Sequence, residues 1–171
     1  MKIKEIFSLR LLHYLSLTLI AFGFSLVGFP KLKHFYRVRK IENLKIVYPS
    51  REEGFIIDLI SNARASKSLP KLLYSDALTK IAKYHWLNLL EKGEFSHNQF
   101  NNFVDNGVFG AICGCSSLGE VLSRGLDTPE ETVEGWLNSP SHREALMTSG
   151  ARRFGIYRDI GSKLTVLVLS N

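Results

Sequence analysis

Cysteine is scarce in this sequence, and its scarcity excludes one common way of stabilising a small domain. Only two of the 171 residues are cysteines, and a single residue separates Cys113 from Cys115. No disulfide can therefore link distant parts of the chain. Two thiols at this spacing, with no second pair, do not complete a metal or redox motif either. We interpret them as two small loop residues, reduced or bridged according to the compartment.

Excess positive charge is missing from residues 51–171. The chain carries a net charge of +6, but its first 50 residues hold nine basic and two acidic side chains. Residues 51–171 hold thirteen basic and fourteen acidic side chains, a balance of −1. A domain that binds nucleic acid carries its own basic face. The distribution of charge therefore argues against nucleic acid as a partner.

Charged side chains are also missing from a long apolar run near the N-terminus. Leu11–Phe29 holds nineteen residues without Lys, Arg, Asp or Glu. A helix of this length crosses a hydrocarbon core of about 30 Å, so residues 1–30 are predicted to be a membrane anchor. A signal peptide is the alternative, because Ala21 and Gly23 offer a cleavage site. Cleavage would remove residues 1–23 and release the protein, but it would leave an apolar N-terminus, and we favour the anchor.

The segment that follows, residues 31–50, is basic and shows no clean hydrophobic period. We interpret it as a juxtamembrane linker, whose charges either lie against anionic headgroups or are simply solvated. More basic residues follow the apolar run than precede it, which by itself favours a cytoplasmic domain.

Hydrophobic periodicity in residues 51–171 predicts helices first and strands last, the order of an α+β fold. Four helices are predicted from apolar spacing, capping residues and early prolines. They begin at Arg51, after Ser75 or Asp76, after Thr128 and after Ser139, and the last is predicted to stop at Gly150. Alternating segments on either side of Ile160–Ser162 predict a β-hairpin. The glycine-rich stretch Asn101–Gly125 is predicted to be mostly loop.

Five stretches, taken in order, resemble the CAP superfamily of cysteine-rich secretory, antigen 5 and pathogenesis-related proteins, and its bacterial single-domain branch in particular. They read LISNARASKSLPKLLYSDAL, AKYHWLNLLEKGEFSH, GEVLSRG, VEGWLNSPSHREAL and FGIY. The resemblance implies a CAP-type α–β–α sandwich over residues 51–171. The chain departs from the family where the word Gly-Glu-Asn reads Gly119-Glu120-Val121, and it lacks the many disulfides of eukaryotic members.

The resemblance also implies a polar cleft. In the family, the histidine of the Ser-His word, the glutamate of the Gly-Glu word and the histidine of the His-Arg word converge; here they are His97, Glu120 and His142. Two neutral imidazoles and a carboxylate are adequate ligands for Zn²⁺, with one position left for water. A histidine–glutamate pair can also act as general acid and base. The third interpretation is a hydrogen-bonded cluster that only joins loop, strand and helix.

A fourth ligand is missing from this set. Many eukaryotic members carry a second glutamate where this chain has Ser139, and Glu131 and Glu134 are candidate substitutes. Ser139 is predicted to cap the helix that carries His142, whose pKa the positive helix end would lower. His85 lies on the apolar stripe of its helix and is interpreted as a core histidine.

Two functions are compatible with this resemblance. One is a binding module for a lipid, glycan or peptide at the cell envelope, since family members are linked to lipid binding and cell-wall biology. The other is a metal-dependent hydrolase or protease that uses His97, Glu120 and His142. The incomplete ligand set favours the binding module. Because family members are usually exported, we expect the domain on the periplasmic side or the cell surface, despite the charge bias; long domains translocate largely regardless of loop charge.

Overall fold

The computed structural model describes residues 30–45 and 49–171. The predicted membrane span, Leu11–Phe29, and the candidate cleavage site after Gly23 lie outside these residues. Within the described residues, no helix is both long enough and apolar enough to cross a membrane.

Most of the predicted linker is helical. Helix α1 spans Pro30–Glu42, with proline at its first position, where the missing N–H has no helical partner to lose. The compact unit that holds the rest of the chain begins within this helix, at Arg37. In that unit Ile41 is fully buried, and Val38 packs against the same apolar core. Val38 and Ile41, in the middle of the predicted linker, therefore contribute to the domain core.

The next elements begin and end where their local signals predict. Helix α2 spans Arg51–Ala65, strand β1 Leu73–Tyr74 and helix α3 Asp76–Lys92. Ser50 and Glu53 form a reciprocal capping box, in which the Ser50 N–H donates to the Glu53 carboxylate at 2.6 Å and the Glu53 N–H donates to Ser50 Oγ at 3.2 Å. Ser75 caps α3, and Gly93 ends it in the left-handed conformation, with φ of 63°.

The stretch predicted to be mostly loop contains two helices and a strand, so that prediction is wrong. Helix α4 spans Asn98–Asp105, helix α5 Val108–Cys113 and strand β2 Leu118–Arg124. Phe109 packs against both Phe100 and Phe103, with ring centroids 5.2 Å apart in each pair. Helices this short are unstable in isolation. The burial of these rings against the rest of the domain therefore stabilises them.

The two cysteines are joined by a disulfide. Cys113 is buried at the end of α5, and Cys115 lies between α5 and β2. Because only one residue lies between them, the bridge links no distant elements.

The helix interruption at Ser139 separates two helices. Helix α6 spans Pro129–Asn138 and helix α7 Pro140–Leu146. Thr128 and Glu131 form a second capping box at the start of α6. Ser139 stands at the N-cap position of α7, as predicted, but its side chain makes no capping hydrogen bond; its Oγ lies 3.5 Å from Ser141 Oγ instead. Helix α7 ends before the predicted stop at Gly150.

Four strands form one sheet in the order β1-β3-β4-β2. Strands β3, Arg153–Asp159, and β4, Leu164–Ser170, form the predicted hairpin. Strand β2 pairs antiparallel with β4, and β1 pairs parallel with β3. All seven residues of β4 are buried, as expected for a central strand covered on both faces.

Alternate residues of β4 enter two different cores. Leu164, Val166 and Val168 pack with the apolar side of α3 and the aromatic residues of α4 and α5. Leu167 and Leu169 pack with apolar residues of α2, α6 and α7. The domain is therefore a three-layer α–β–α sandwich of mixed α+β class.

Candidate functional site

Three elements converge on the carboxylate of Glu120. Strand β2 carries Glu120, α3 carries His85, and His97 stands at the N-cap of α4. Glu120 alternates with Val121 along β2, so it faces α3 while Val121 enters the opposite core. Glu120 Oε2 lies 2.7 Å from His97 Nδ1, and Glu120 Oε1 lies 3.1 Å from His85 Nε2. The side chain of Glu120 is only 2% exposed, whereas that of His97 is 46% exposed.

His85 joins this group from the core side. It is fully buried, as predicted, and its ring meets Phe100 edge to face at a centroid distance of 5.7 Å. Its Nε2 is close enough to Glu120 for an ion-pair contact, but the two are not aligned as a hydrogen bond, and in the described structure its Nδ1 has no hydrogen-bond partner either. The apolar stripe identified His85 as buried. The contact with Glu120 depends on β2 pairing with β4, on which α3 packs, and the sequence carries no local signal for this arrangement.

Burial and the neighbouring imidazoles shift the protonation of all three groups. Burial raises the pKa of Glu120 to about 7, although the hydrogen bond from His97 opposes that rise. Burial, and then the nearby charge of His97, lower the pKa of His85 to about 4. The hydrogen bond to Glu120 raises the pKa of His97.

His142 lies next to His97 without bonding to it. The ring centroids are 6.4 Å apart, and the rings are edge to face. The pKa of His142 is lowered, as predicted, but chiefly by burial and then by the charge of His97, rather than by the helix end. The structure thus brings His97, Glu120 and His142 into one region, as the resemblance implied.

Glu131 and Glu134, the candidate substitutes for the missing glutamate, both lie on α6. Glu131 accepts hydrogen bonds from the N–H groups of Asp127 and Thr128, at 3.0 and 3.1 Å, so its carboxylate is engaged in capping α6. Glu134 is exposed on α6. Neither Glu131 nor Glu134 contacts His97 or His142 in the described structure. That the two glutamates belong to the cleft stays a prediction.

The donor atoms do not form a three-ligand metal centre. Among residues 30–45 and 49–171, no group of three or more His, Cys, Asp or Glu side chains is arranged to hold a metal ion. Each oxygen of Glu120 faces an imidazole nitrogen, which is the arrangement of a carboxylate that orients histidines. Zinc ligation by His97, Glu120 and His142 together therefore stays a prediction.

A groove of about 540 Å³ lies between α7, the start of β2 and the end of β4, and none of His85, His97, Glu120 and His142 lines it. Gly119 and Ser141 line it, and they are the neighbours in sequence of Glu120 and His142. Its other lining residues come from the start of β2, from α7 and the loop after it, and from the end of β4: Ser117, Leu118, Glu144, Ala145, Thr148, Gly150, Ala151, Leu169, Ser170 and Asn171. Glu144 is the only charged residue among them.

The shifted pKa values of Glu120 and His85 change the stability of the domain with pH in opposite directions. The raised pKa of Glu120 contributes stability that is present below about pH 4.5 and is lost as pH rises through about 7. The lowered pKa of His85 contributes stability that is present above about pH 6.5 and is lost as pH falls through about 4. Between pH 6.5 and 4.5 the two effects oppose each other, so the wild-type free energy of unfolding changes little.

We therefore expect Glu120→Gln to lose about 3 kcal/mol of stability between pH 6.5 and 4, because only the His85 effect remains. Urea unfolding across that range, in the presence of a chelator, measures the change. His85→Gln is the matched control and should not lose stability on acidification. Parallel pH profiles for the wild type and Glu120→Gln would contradict the prediction.

Known proteins share both the sequence pattern and the geometry of this domain. Residues 57–169 match the sequence model of the cysteine-rich secretory protein family, CAP. An uncharacterized protein of Borreliella burgdorferi strain B31 is 28% identical over 127 residues, which is 74% of this chain and 76% of that protein.

Solved structures show the same architecture. An outer surface protein from Borrelia burgdorferi is 24% identical, with a TM-score of 0.64 over 73% of this chain and 96% of that one. An extracellular protein containing an SCP domain, from Bacillus anthracis strain Ames, is 20% identical, with a TM-score of 0.60 over 75% of this chain and 45% of that one. At these identities the likeness shows the fold.

Proposed function

The chain belongs to the cysteine-rich secretory protein (CAP) family, and on that premise we propose that its sandwich is a binding module outside the cytoplasm. The similar solved structures support this placement, because one is an outer surface protein and another is an extracellular protein. Residues 1–30 would hold the module to the membrane as an anchor. The alternative is secretion after cleavage of residues 1–23.

The groove beside His142 supports binding as the activity. Several of its lining residues are small, among them Gly119, Ala145 and Ala151, which leaves room for a ligand against the backbone. Its rim offers hydroxyl, amide and carboxylate groups but no basic side chain. An anionic ligand would find no counter-charge there, and a lipid tail would meet a polar rim. Of the three ligand classes, the groove therefore favours an uncharged or cationic glycan or peptide.

We propose a divalent-metal site with two protein ligands rather than the three named by the family resemblance. The residues of the described structure that best suit a divalent ion are the imidazoles of His97 and His142. Glu120 would then orient His97 from behind, as carboxylates commonly do for metal-binding histidines. Two protein ligands leave the first shell largely to water, which is incomplete for a hydrolytic centre that uses three. A metal-dependent hydrolase or protease is therefore the second candidate.

Titration of the ¹⁵N-labelled protein with a neutral N-acetylated oligosaccharide and, separately, with a neutral tetrapeptide tests this function. We expect one probe to shift amide resonances of β2, α7 and the end of β4. Gly150→Trp should abolish the shifts, because Gly150 lines the groove and has nothing within 4 Å of where its side chain would begin. Lys92→Trp, on the exposed end of α3, is the matched control.

Two outcomes decide against the binding module. Equal binding by Gly150→Trp and the wild type would remove the groove as the site. Cleavage of either probe that is lost in a His97→Ala variant would favour the hydrolase instead.

A further inference from the structure

The buried imidazole of His85 is a polar group whose position packing alone does not explain. It is fully buried among apolar residues of the α3 side of the sheet, where an aliphatic or aromatic side chain would pack without polar atoms. Burying unpaired ring nitrogens costs free energy. It makes an ion-pair contact with the Glu120 carboxylate, whose Oε1 lies 3.1 Å from Nε2.

That contact acts on how the carboxylate is turned. Rotation about the last side-chain bond of Glu120 is intrinsically soft. With His85 Nε2 at Oε1, the other oxygen is directed at His97 Nδ1, 2.7 Å away. A carboxylate can only accept, so the hydrogen bond with Glu120 Oε2 requires His97 to donate through Nδ1–H. His97 is thereby restricted to its Nδ1–H tautomer, and the contact of His85 with Oε1 keeps Oε2 turned toward His97.

His97 needs this outside support because it is not held by the core. Its side chain is 46% exposed, in contrast to the 0% of His85 and 2% of Glu120. At the N-cap of α4 it makes no side-chain capping bond. The hydrogen bond to Glu120 is therefore what orients its ring, and the Nδ1–H tautomer leaves the lone pair of Nε2 free to accept or to bind a ligand.

We propose that His85 is a positioning residue which, by holding Glu120, fixes the ring orientation and tautomer of His97 so that Nε2 is the ligand-binding nitrogen of the cleft. This inference deepens the proposed function, on which its last clause rests. The arrangement itself concerns only the chain's own side chains. It can therefore be tested without any ligand.

The experiment reads the tautomer of His97 directly. Imidazole ¹⁵N resonances of the labelled, chelator-treated full-length protein are recorded from about pH 8 upward until His97 is neutral, because the hydrogen bond with Glu120 raises the pKa of His97 above its ordinary value. In the wild type we expect His97 as Nδ1–H. In His85→Phe, which keeps a ring against Phe100 but removes the polar contact with Glu120 Oε1, the tautomer ratio should move about fivefold toward Nε2–H, within the range that losing one polar contact produces.

Two further variants separate positioning from packing. His85→Gln keeps a donor that can reach Glu120, and it should restore the wild-type ratio to within about twofold, as one retained hydrogen bond predicts. Ile81→Val, in the same helix and equally buried, should lower stability without moving the ratio. If His85→Phe does not fold, His85→Met provides the same measurement.

Two results would overturn the proposal. One is a wild-type His97 that is mainly Nε2–H. The other is an unchanged ratio in the His85→Phe or His85→Met protein, which would leave His85 a packing residue. The tautomer measurement uses no oligosaccharide or peptide. A failed titration of the groove therefore does not contradict the proposed role of His85. Conversely, a failed tautomer test leaves the groove assignment standing.

Discussion

Replacing Gly155 with alanine is expected to destabilise the domain by about 4 kcal/mol or more, the largest effect that we expect of any single methyl group. A Cβ at this position would overlap the carbonyl carbon of Leu78 and the nitrogen of Thr79, and it would lie 2.6 Å from Leu78 Cβ. These are atoms of the first turn of α3, which packs directly on β3. Because two of them belong to the backbone, no side-chain rotation can relieve the overlap.

Urea unfolding of Gly155→Ala against Gly119→Ala measures this effect. Gly119 lies in a strand of the same sheet, and a Cβ there would have nothing within 4 Å. We expect the control to change stability by less than about 1 kcal/mol, within the range of strand propensity. A similar unfolding midpoint for the two variants would show that α3 can move off the sheet at little cost. Such movement would also displace His85 from Glu120.

Replacing Arg64 with methionine is expected to cost about 3 to 5 kcal/mol, as loss of a buried charged donor commonly does. Arg64 lies at the end of α2 and is fully buried. Its guanidinium donates to the carbonyl oxygens of Pro70, Leu146, Thr148 and Ala151, at 3.1, 2.7, 3.1 and 3.3 Å. These carbonyls come from the loop after α2 and from the end of α7 and its following loop, so one side chain fastens three segments.

The acceptors explain why a cation is tolerated there without a carboxylate. Leu146 is the last residue of α7, and the carbonyls at a helix C-terminus carry the negative end of its dipole. Burial and the neighbouring charge of Arg152 both lower the pKa of Arg64, so the carbonyls must offset both effects. Methionine would leave the buried carbonyls of Leu146 and Ala151 without this donor.

Arg64→Lys and Arg152→Met complete the experiment. Lysine keeps the charge but has no planar fork to reach carbonyls on several sides, so we expect it to recover only part of the loss. Arg152 is exposed, and removing it also removes a like charge near Arg64. We expect Arg152→Met to change the free energy of unfolding by less than about 0.5 kcal/mol, as is usual for surface substitutions. If Arg64→Met matched that control, the carbonyl contacts would contribute nothing to stability.

The groove and the histidine cluster depend on both of these residues for their geometry. Arg64 holds the end of α7 and the loop that contributes Thr148 and Ala151 to the groove. Gly155 lets α3 approach the sheet closely enough for His85 to reach Glu120. Variants at either position should therefore be compared with the wild type for folding before any change in ligand binding is attributed to the site.

Local signals in the sequence determined where several elements begin and what class of fold results. Ser50, Ser75 and Thr128 accept hydrogen bonds from the first turns of their helices, and such contacts involve residues at most three positions apart. Alternation of apolar residues likewise predicted the hairpin of β3 and β4, because the pattern involves only residues that are close together in the sequence. The resemblance to CAP proteins then named His97, Glu120 and His142, which the structure brings into one region.

Only the tertiary structure decided the elements whose stability comes from distant contacts. Strand β1 is two residues long and exists because it pairs with β3. Helices α4 and α5 are short and depend on buried aromatic rings, so a glycine-rich composition outweighed their weak helical signal. Which residues of the sheet enter which of the two cores also depends on the helices that cover each face.

The role of His85 illustrates the same limit at the site. Its place on an apolar stripe was enough to predict burial, because a helix repeats its faces every three to four residues. Its contact with Glu120 requires β2 to pair with β4 in one register while α3 packs on β3 and β4, and strand pairing of that kind is set by the whole core rather than by neighbouring residues. The sequence therefore determined which residue types could form the cluster, and the packing of α3 on the sheet decided which of them meet.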